Sequence, residues 1–340
     1  MREHEVQQFA YNLGQKYNES SVDITETAMS WIVLTKSQVF KIKKPIKNQW
    51  FDFTAVEQRK QSCEAEVELN QQLAPNVYLG VIPIVDSFMP LNGEDHNTVV
   101  DYAVLMKRLR NAKQMNRMLD RKEVTKDHIL KLVRYVVRFH AHSKVIDLPP
   151  INSHFQEVWH KLICFDFGED IAEVGNVSAT LKRADAVFKA FSANHQKYFK
   201  DRKDFGKVRE LHGNLFCDNI YLYNKPLIVD CIEFSDTLKH VDILNEAALL
   251  CMDLDAHGER YLSEYFYKEY KKRMGTVNEE CDDYLFVFYK LYHALKKARE
   301  NNYKAVSNKQ KQQYYTYVQE LNIYSELIQS YVAWLDKAST

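Results

Sequence analysis

The clearest shortage in this 340-residue sequence is glycine, which contributes only 9 residues. Glycine makes up about 7% of an average protein, so this chain holds far less than the usual share. Glycine-rich phosphate loops depend on backbone freedom that other residues lack, and no GxxxxGK[ST] pattern occurs. The scarcity excludes a Walker-type P-loop and favours a chain rich in helix.

Cysteine is present, but it forms no pattern typical of a metal site. The six cysteines are scattered without CxxC spacing, at Cys63, Cys164, Cys217, Cys231, Cys251 and Cys281. Zinc sites and disulfide frameworks in small domains both depend on closely repeated cysteines. We therefore expect free buried thiols in a reducing compartment, and we predict a cytoplasmic protein.

The sequence has neither an excess of one charge nor a long apolar run. Lysine plus arginine and aspartate plus glutamate number 46 each, so no net field favours nucleic acid or an anionic membrane. No apolar run approaches the ~18–20 residues that cross a bilayer. The polar start MREHEVQQFAYNLGQKY does not read as a signal peptide. The sequence thus predicts neither a membrane nor a nucleic acid as partner.

Residues 1–110 read as a β-rich region with one strong helix. Two β-rich runs, Ser30–Leu34 and Gln38–Ile42, flank a polar turn and predict a hairpin. The runs VYLGVIPIV and HNTVVDYAVLMKRL predict two more strands. Between the hairpin and these strands, Thr54–Leu73 predicts a helix, with Thr54 as its N-cap and a glutamate three residues later. Hairpin connections favour a mostly antiparallel sheet.

Residues 111–340 read as a larger and mostly helical region. The clearest helix is predicted at Thr125–Lys144, where apolar residues recur at spacings of three and four. One short hairpin stands among these helices. The organisation is therefore a small β-rich lobe followed by a larger helical lobe.

The short hairpin in NIYLYNKPLIVD carries the first chemical signal. Ile220–Tyr223 and Leu227–Val229 predict two strands joined by an Asn-Lys-Pro turn. Asn219 precedes the first strand and Asp230 follows the second, so antiparallel pairing brings the two residues side by side. Amide and carboxylate oxygens are ligands that suit Mg²⁺. The sequence therefore predicts Asn219 and Asp230 as metal ligands.

The preceding stretch, HGNLFCDNI, has the spacing of a phosphotransferase catalytic loop. Kinases carry HRDxxxxN, with a metal-binding aspartate further along the chain. Asn214 occupies the aspartate position of that pattern, and Asn219 occupies its asparagine position. The alternative is a tight surface turn capped by Asn and Asp, but order and spacing together favour the catalytic loop. A literal DFG at Asp166–Gly168 precedes the loop instead of following it, and we interpret it as ordinary structure.

Taken together, these motifs resemble the aminoglycoside-phosphotransferase-like family, which has a protein-kinase-like fold. They are most similar to an uncharacterised bacterial branch with V-[YF]-K-x-KKP, LAP-x-VYLGV-x-PI, YAV-x-M-x-RL, HGD and DC-x-EF motifs. This chain has VFKIKKPI, LAPNVYLGVIPI, YAVLMKRL, HGN and VDCIEF, within a match from Glu26 to about Gly258. The resemblance implies an α+β, two-lobed fold, with a β-rich nucleotide-binding N-lobe at 1–110 and a helical C-lobe at 111–340.

The resemblance also implies roles for individual residues. Lys41 or Lys43 would meet the phosphates of ATP or another nucleoside triphosphate, and both share one face of the strand. Glu66 or Glu64 would pair with that lysine. Backbone groups near Met106 would bind the base. The alternatives are that the lysines form a solvated basic edge, that the glutamate is an exposed charge, and that the stretch around Met106 is a buried strand.

Asn214 changes the expected chemistry, because a neutral amide cannot accept the proton of a substrate hydroxyl. Loss of a general base typically slows a reaction by ~10²–10⁴-fold, although an amide still orients the hydroxyl by hydrogen bonding. Asp218 and Glu233 are candidate substitute bases, and we expect His212 to brace the loop backbone.

Three functions remain open at this point. The first is an ATP- and Mg²⁺-dependent phosphotransferase that acts weakly on the hydroxyl of an unknown small molecule. The second is a catalytically inactive nucleotide-binding pseudokinase or scaffold, which Asn214 and the missing glycine loop favour. The third, nucleotidyl transfer, has no positive sign in the sequence.

Overall fold

The structure is a computed structural model that describes residues 1–48, 51–91, 98–165, 177–309 and 312–338. Two compact units make up the chain. The first unit contains Met1–Arg117 and Asn219–Leu238, and the second contains Met118–Asp218 and Lys239–Thr340. The short hairpin thus belongs to the first unit, whereas sequence order placed it in the region 111–340. The DFG at Asp166–Gly168 lies outside the described residues.

The longer strands all lie in the first third of the chain, and shorter strands recur in its second half. The strands are β1 Asp23–Glu26, β2 Ser30–Leu34, β3 Gln38–Lys43, β4 Tyr78–Val85, β5 Val99–Lys107, β6 Val208–Glu210, β7 Ile220–Tyr221, β8 Leu227–Ile228 and β9 His240–Asp242. The helices are α1 Glu3–Tyr17, α2 Val56–Gln71, α3 Met115–Asp120, α4 Lys126–His142, α5 Ser153–Ile163, α6 Val177–Asn194, α7 Gln196–Asp204, α8 Asp236–Lys239, α9 Ile243–Ala256, α10 Arg260–Met274, α11 Glu279–Ser307 and α12 Gln313–Ala338.

The first unit is built on an antiparallel sheet of five strands in the order β1-β2-β3-β5-β4. The predicted hairpin of β2 and β3 and the two later strands are confirmed. Edge strand β1 was not predicted, because its sequence DITE is exposed throughout and shows no apolar alternation. Helix α1 covers the sheet with buried Phe9, whose ring meets Phe40 of β3 edge-to-face at 5.6 Å.

Helix α2 is confirmed, but its predicted N-cap is wrong. Ala55 is the N-cap residue, and the Gln58 side chain accepts a hydrogen bond from its backbone N–H at 3.1 Å. The Thr54 hydroxyl donates instead to Asp52 Oδ1 at 2.6 Å. This hydrogen bond to a charged carboxylate joins Thr54 to Asp52 in the segment that precedes the helix, and α2 begins one residue later than predicted.

The second unit is helical around α9 and α11. Helix α9 is apolar almost all round, in ILNEAALLCMDLDA, and is buried from Ile243 to Asp255, as expected for a helix without a polar face. Helix α11 packs against both α9 and α12. The predicted helix at Thr125 is confirmed as α4, and its Thr125 hydroxyl caps the His128 N–H. No helix in the described ranges is long and apolar enough to span a membrane.

Candidate functional site

The two candidate lysines of β3 converge on one carboxylate of α2. Lys41 Nζ lies 2.7 Å from Glu66 Oε1, and Lys43 Nζ lies 2.5 Å from Glu66 Oε2. Residues two apart on a strand share a face, so both side chains reach α2. Glu66 is fully buried, whereas the alternative Glu64 is exposed. Of the two predicted acids, the structure therefore pairs Glu66 with the lysines.

The second partners of the lysines distinguish them. Lys41 Nζ lies 2.5 Å from Asp230 Oδ1, and the Asp230 side chain is 45% exposed. Lys43 pairs with buried Glu233, which also accepts a hydrogen bond from the Ser62 hydroxyl at 3.0 Å. Lys43 is thus enclosed among protein groups, whereas Lys41 contacts an acid that solvent can reach.

Electrostatics keep this cluster ionised. Burial by itself lowers the pKa of Lys41, but the carboxylates of Asp230 and Glu66 outweigh it and raise that pKa well above 10.5. Burial by itself raises the pKa of Glu66, but the ammonium groups of Lys41 and Lys43 hold it below 4.5. A carboxylate that serves two ammonium groups therefore stays charged at neutral pH.

The hairpin of β7 and β8 brings the predicted metal ligands to neighbouring positions. Ile220 pairs with Ile228, and the Val229 N–H donates to the Asn219 carbonyl at 2.9 Å. Asp230 follows directly with φ at 65°, a left-handed conformation that aspartate tolerates better than most residues. Its N–H donates to the Tyr78 hydroxyl at 3.0 Å. Amide and partly exposed carboxylate oxygens at adjacent positions form a donor set that fits Mg²⁺.

The end of strand β5, which is predicted to bind the base, packs against neighbouring residues. Met106 lies in β5 opposite Val39 and Tyr78. Its half-buried side chain packs against an apolar cluster that includes Tyr78 and Val229. Next to it, the Lys107 N–H donates to the Val77 carbonyl at 2.9 Å. The backbone role predicted near Met106 remains a prediction.

In the second unit the HGN loop is held by hydrogen bonds to its backbone. Gly213 has φ at 76°, which glycine adopts at little cost, and its N–H donates to Glu246 Oε1 at 2.6 Å. The Asn214 N–H donates to Nδ1 of fully buried His212 at 3.2 Å. The Cys217 N–H donates to Asp253 Oδ2 at 2.8 Å. Three backbone N–H groups of the loop thus have side-chain acceptors within the second unit.

Helix α9 and its neighbours supply the acids behind this loop, which sequence reasoning missed. Glu246 also bonds His140 Nε2 at 2.8 Å, and His140 Nδ1 bonds the Tyr270 hydroxyl at 2.8 Å. Both Glu246 and Asp253 interrupt the apolar run ILNEAALLCMDLDA. Buried acids need partners, so acids in an apolar helix were a signal that could have found them.

The predicted residue Asp218 and a further acid, Asp242, also lie in the second unit. Asp218 is exposed in the 3₁₀ turn Cys217–Asn219. Asp242 is the N-cap of α9 and accepts a bond from the Leu244 N–H at 2.8 Å. It also forms a buried two-pronged pair with Arg202, at 2.6 and 2.7 Å. Asp242 therefore both caps α9 and connects it to α7 within the second unit.

A separate group of possible metal ligands lies in the second unit. Cys217, Asp253 and His257 each offer one ligand atom, and these atoms lie within 4.8 Å of one another. Thiolate and imidazole ligands suit zinc better than magnesium. Burial and Asp253 raise the pKa of the Cys217 thiol well above 9.0, which opposes the thiolate that a metal would need.

No protein-family model matches the chain. Uncharacterized proteins of Mycobacterium tuberculosis and Mycobacterium bovis are 29% identical to it over 288 residues, which cover 83% of this chain and 55% of theirs. The chain thus spans about half the length of the curated relatives it matches.

Solved structures resemble the chain over almost its whole length. A spectinomycin phosphotransferase in complex with ADP and spectinomycin has a TM-score of 0.53 at 11% identity, covering 96% of this chain and 98% of its own. A choline/ethanolamine kinase family protein from Mesorhizobium loti has a TM-score of 0.48 at 11% identity, covering 96% and 99%. The first likeness defines the fold as α+β and protein-kinase-like, with a β-rich N-lobe and a larger helical C-lobe.

Proposed function

We propose that the protein is a nucleotide-dependent phosphotransferase that acts on the hydroxyl of a small molecule. The observation that carries this proposal is the cluster in which Lys41 contacts both Glu66 and Asp230. A strand lysine paired with a helix glutamate, beside a metal-binding aspartate, is the arrangement that kinases use to hold triphosphate. The motif resemblance to the aminoglycoside-phosphotransferase-like family supports it, as does the ADP complex of the spectinomycin phosphotransferase.

In this proposal the two lysines have different roles, which their different partners support. Lys41 meets the phosphates, because its second partner Asp230 is partly exposed. Lys43 is structural, because it is 1% exposed and paired with Glu66 and Glu233. Glu233 is then occupied with structure and does not serve as a substitute base.

Asn219 and Asp230 hold Mg²⁺ with oxygen ligands. Bound ATP would supply the phosphoryl group, and bound Mg²⁺ would neutralise the negative charge of the phosphates. Asn214 orients the acceptor hydroxyl by hydrogen bonding but does not take its proton, so turnover is slow. Asp218, which is exposed beside the metal ligand Asn219 in sequence, is the remaining candidate to receive the proton.

A second function, a nucleotide-binding pseudokinase, is favoured by one observation. The β2–β3 turn at Thr35–Ser37 contains no glycine, and the Thr35 N–H and hydroxyl bond the Gln38 carbonyl at 3.0 and 3.2 Å. A turn closed on itself offers few amides to phosphates. Lys41 and the hairpin of β7 and β8 would then hold the nucleotide without transferring its phosphoryl group.

Thermal denaturation with and without Mg·ATP tests nucleotide binding, since a ligand that binds only the folded state raises the melting temperature. We expect stabilisation in the native chain, a loss of the magnesium-dependent part in Asp230→Ala, and native behaviour in the exposed control Asp86→Ala. Absence of stabilisation at about millimolar nucleotide rejects both functions. Binding without consumption of ATP, in the native chain and in Asn214→Asp alike, favours the pseudokinase.

A further inference from the structure

A cavity of about 280 Å³ lies within the second unit, among the end of α9, α10, α11 and α12. Its volume is near the lower limit of ligand pockets, which begin at about 300 Å³, so it suits a small molecule. Aromatic rings, among them Tyr267, Phe286, Tyr331 and Trp334, form much of its wall. Acidic groups lie among these rings.

The Asp255 carboxylate in this wall is only half satisfied. Its Oδ2 accepts a hydrogen bond from the Tyr331 hydroxyl at 2.5 Å and pairs with the Lys290 ammonium. Its Oδ1 is buried and accepts no hydrogen bond from any residue that the structure describes. The Asp255 side chain is 4% exposed. A buried acceptor without a donor is costly, so this oxygen marks a place for a donor from a ligand.

The surroundings of Asp255 favour a cation as that donor. The Lys290 ammonium already lies 4.8 Å from the centre of the Tyr331 ring and 5.8 Å from that of Phe286, where the electron-rich faces attract positive charge. Three acids and two bases line the cavity: Asp255, Glu264, Asp283, Arg260 and Lys290. Arg260 pairs with Glu264, and Asp283 pairs with Lys271 from outside the lining. Among these acids, Asp255 is the one with a buried oxygen that lacks a donor in the part of the chain that the structure describes.

We propose that this cavity binds a small primary amine, whose ammonium group donates to Asp255 Oδ1. One carboxylate then serves two ammonium groups, Lys290 at Oδ2 and the ligand at Oδ1. The same arrangement exists in the first unit, where Glu66 holds Lys41 at one oxygen and Lys43 at the other. The alkyl part of the amine packs against Trp334 and Leu327 in the wall.

This site is distinct from the HGN loop. Asp253 faces that loop, because it accepts the Cys217 N–H. Asp255 follows two residues later and therefore projects about 200° around α9. The cavity lies on the face of α9 opposite to the loop, so the amine is not the phosphoryl acceptor, and the proposal does not depend on the proposed function.

Calorimetry with n-butylamine, 1-butanol and butyrate tests the ligand class on the full chain. These probes share a chain length and differ in an ammonium, a hydroxyl and a carboxylate. We expect n-butylamine to bind at least about tenfold more tightly than 1-butanol, because a hydrogen bond between charged groups is the stronger one. Equal affinity for the amine and the alcohol, tighter binding of butyrate, or no binding of the amine overturns the proposal.

Two variants locate the binding. Asp255→Asn is expected to weaken n-butylamine binding at least about tenfold. Because this change also touches the buried Lys290 pair, Ser330→Trp fills the cavity from an exposed position on α12 without altering the acid. It is expected to abolish binding, whereas the neighbouring exposed Gln329→Trp, outside the lining, is expected to keep it. Native affinity in Ser330→Trp rejects this cavity as the site.

Discussion

Lys41 Nζ lies 2.5 Å from Asp230 Oδ1, although 189 positions separate the two residues in the sequence. The contact joins the β3 strand to the hairpin of β7 and β8 within one compact unit. Through Glu66 the same cluster extends to α2. The predicted phosphate-binding lysine and the predicted metal ligand therefore belong to one ionised network.

Replacement of the two β3 lysines is expected to affect different properties, nucleotide binding for Lys41 and folding stability for Lys43. Lys41→Met should weaken Mg·ATP binding at least about tenfold, because a charged contact is lost, with a smaller effect on folding. Lys43→Met should leave Glu66 and Glu233 buried with fewer cations, and removing one partner of a buried pair costs about 3–5 kcal/mol. Nucleotide titration and urea denaturation measure the two effects.

Lys47→Met is the control for both variants, since the Lys47 side chain is 68% exposed and pairs only at the surface with Asp52. Exposed ion pairs contribute little, so we expect native binding and stability. If Lys43→Met weakens nucleotide binding while Lys41→Met does not, the assignment of the phosphate-binding lysine is reversed.

Restoring an acid at the HGN loop tests whether the site lacks only its base. Asn214→Asp should raise the rate of ATP consumption by about 10²-fold or more, because a general base typically contributes ~10²–10⁴-fold. The loop backbone is held by Glu246, His212 and Asp253, so its conformation should persist. The rate of phosphate release, compared at equal nucleotide saturation, measures the gain.

Asp218→Asn provides the complementary test of the proposed proton acceptor. We expect it to reduce the activity of the native chain and to have little effect in the Asn214→Asp background. Nucleotide binding with no ATP consumption in the native chain and in Asn214→Asp would argue that the chain holds nucleotide without transferring phosphate.

Arg202 is expected to be a main determinant of stability in the second unit. It is 1% exposed, and it pairs with Asp242 at 2.6 Å and with Asp282 at 2.6 Å. Arg202→Met leaves two buried acids without their cation and should lower the free energy of unfolding by about 3–5 kcal/mol. Denaturant titration measures it. Arg183→Met, at a side chain that is 66% exposed, should change it little, and equal losses in both variants would contradict the argument.

His293 should make stability depend on pH in mildly acidic solution. Burial lowers the pKa of His293 well below 6.5, and the ring bonds the Asn245 side chain at 2.9 Å. Below pH 6.5 the unfolded chain takes up a proton at this histidine, while the folded chain does not. Stability should therefore fall as pH decreases, by up to about 1.4 kcal/mol per pH unit.

Denaturation at a series of pH values, in the native chain and in His293→Gln, measures this contribution. The variant is expected to show a shallower slope below pH 6.5, whereas His4→Gln at an exposed position should keep the native slope. Parallel curves for all three proteins would show that His293 takes up its proton equally in both states.

Features with a local signal could be predicted from the sequence. The β2–β3 hairpin follows from two β-rich runs around a turn, and Thr125 caps α4 through its own side chain. Strand β1 was missed because it is short, polar and exposed, although it pairs with the next strand along the chain. The three-residue strands β6 and β9 were missed because they are short and pair with each other from separate parts of the chain. The predicted cap of α2 was wrong because the helix begins one residue later, after Ala55, while Thr54 bonds Asp52 in the preceding segment.

The sequence by itself determined the hairpin that sets Asn219 beside Asp230, and it determined the amide at position 214, since both depend on residue identity and short-range pairing. Only the tertiary structure distinguished Lys41 from Lys43 and Glu66 from Glu64. The two lysines share one face of β3 by the geometry of any strand. What separates them is which distant carboxylate each meets, Asp230 or Glu233, and the packing of the whole unit decides that.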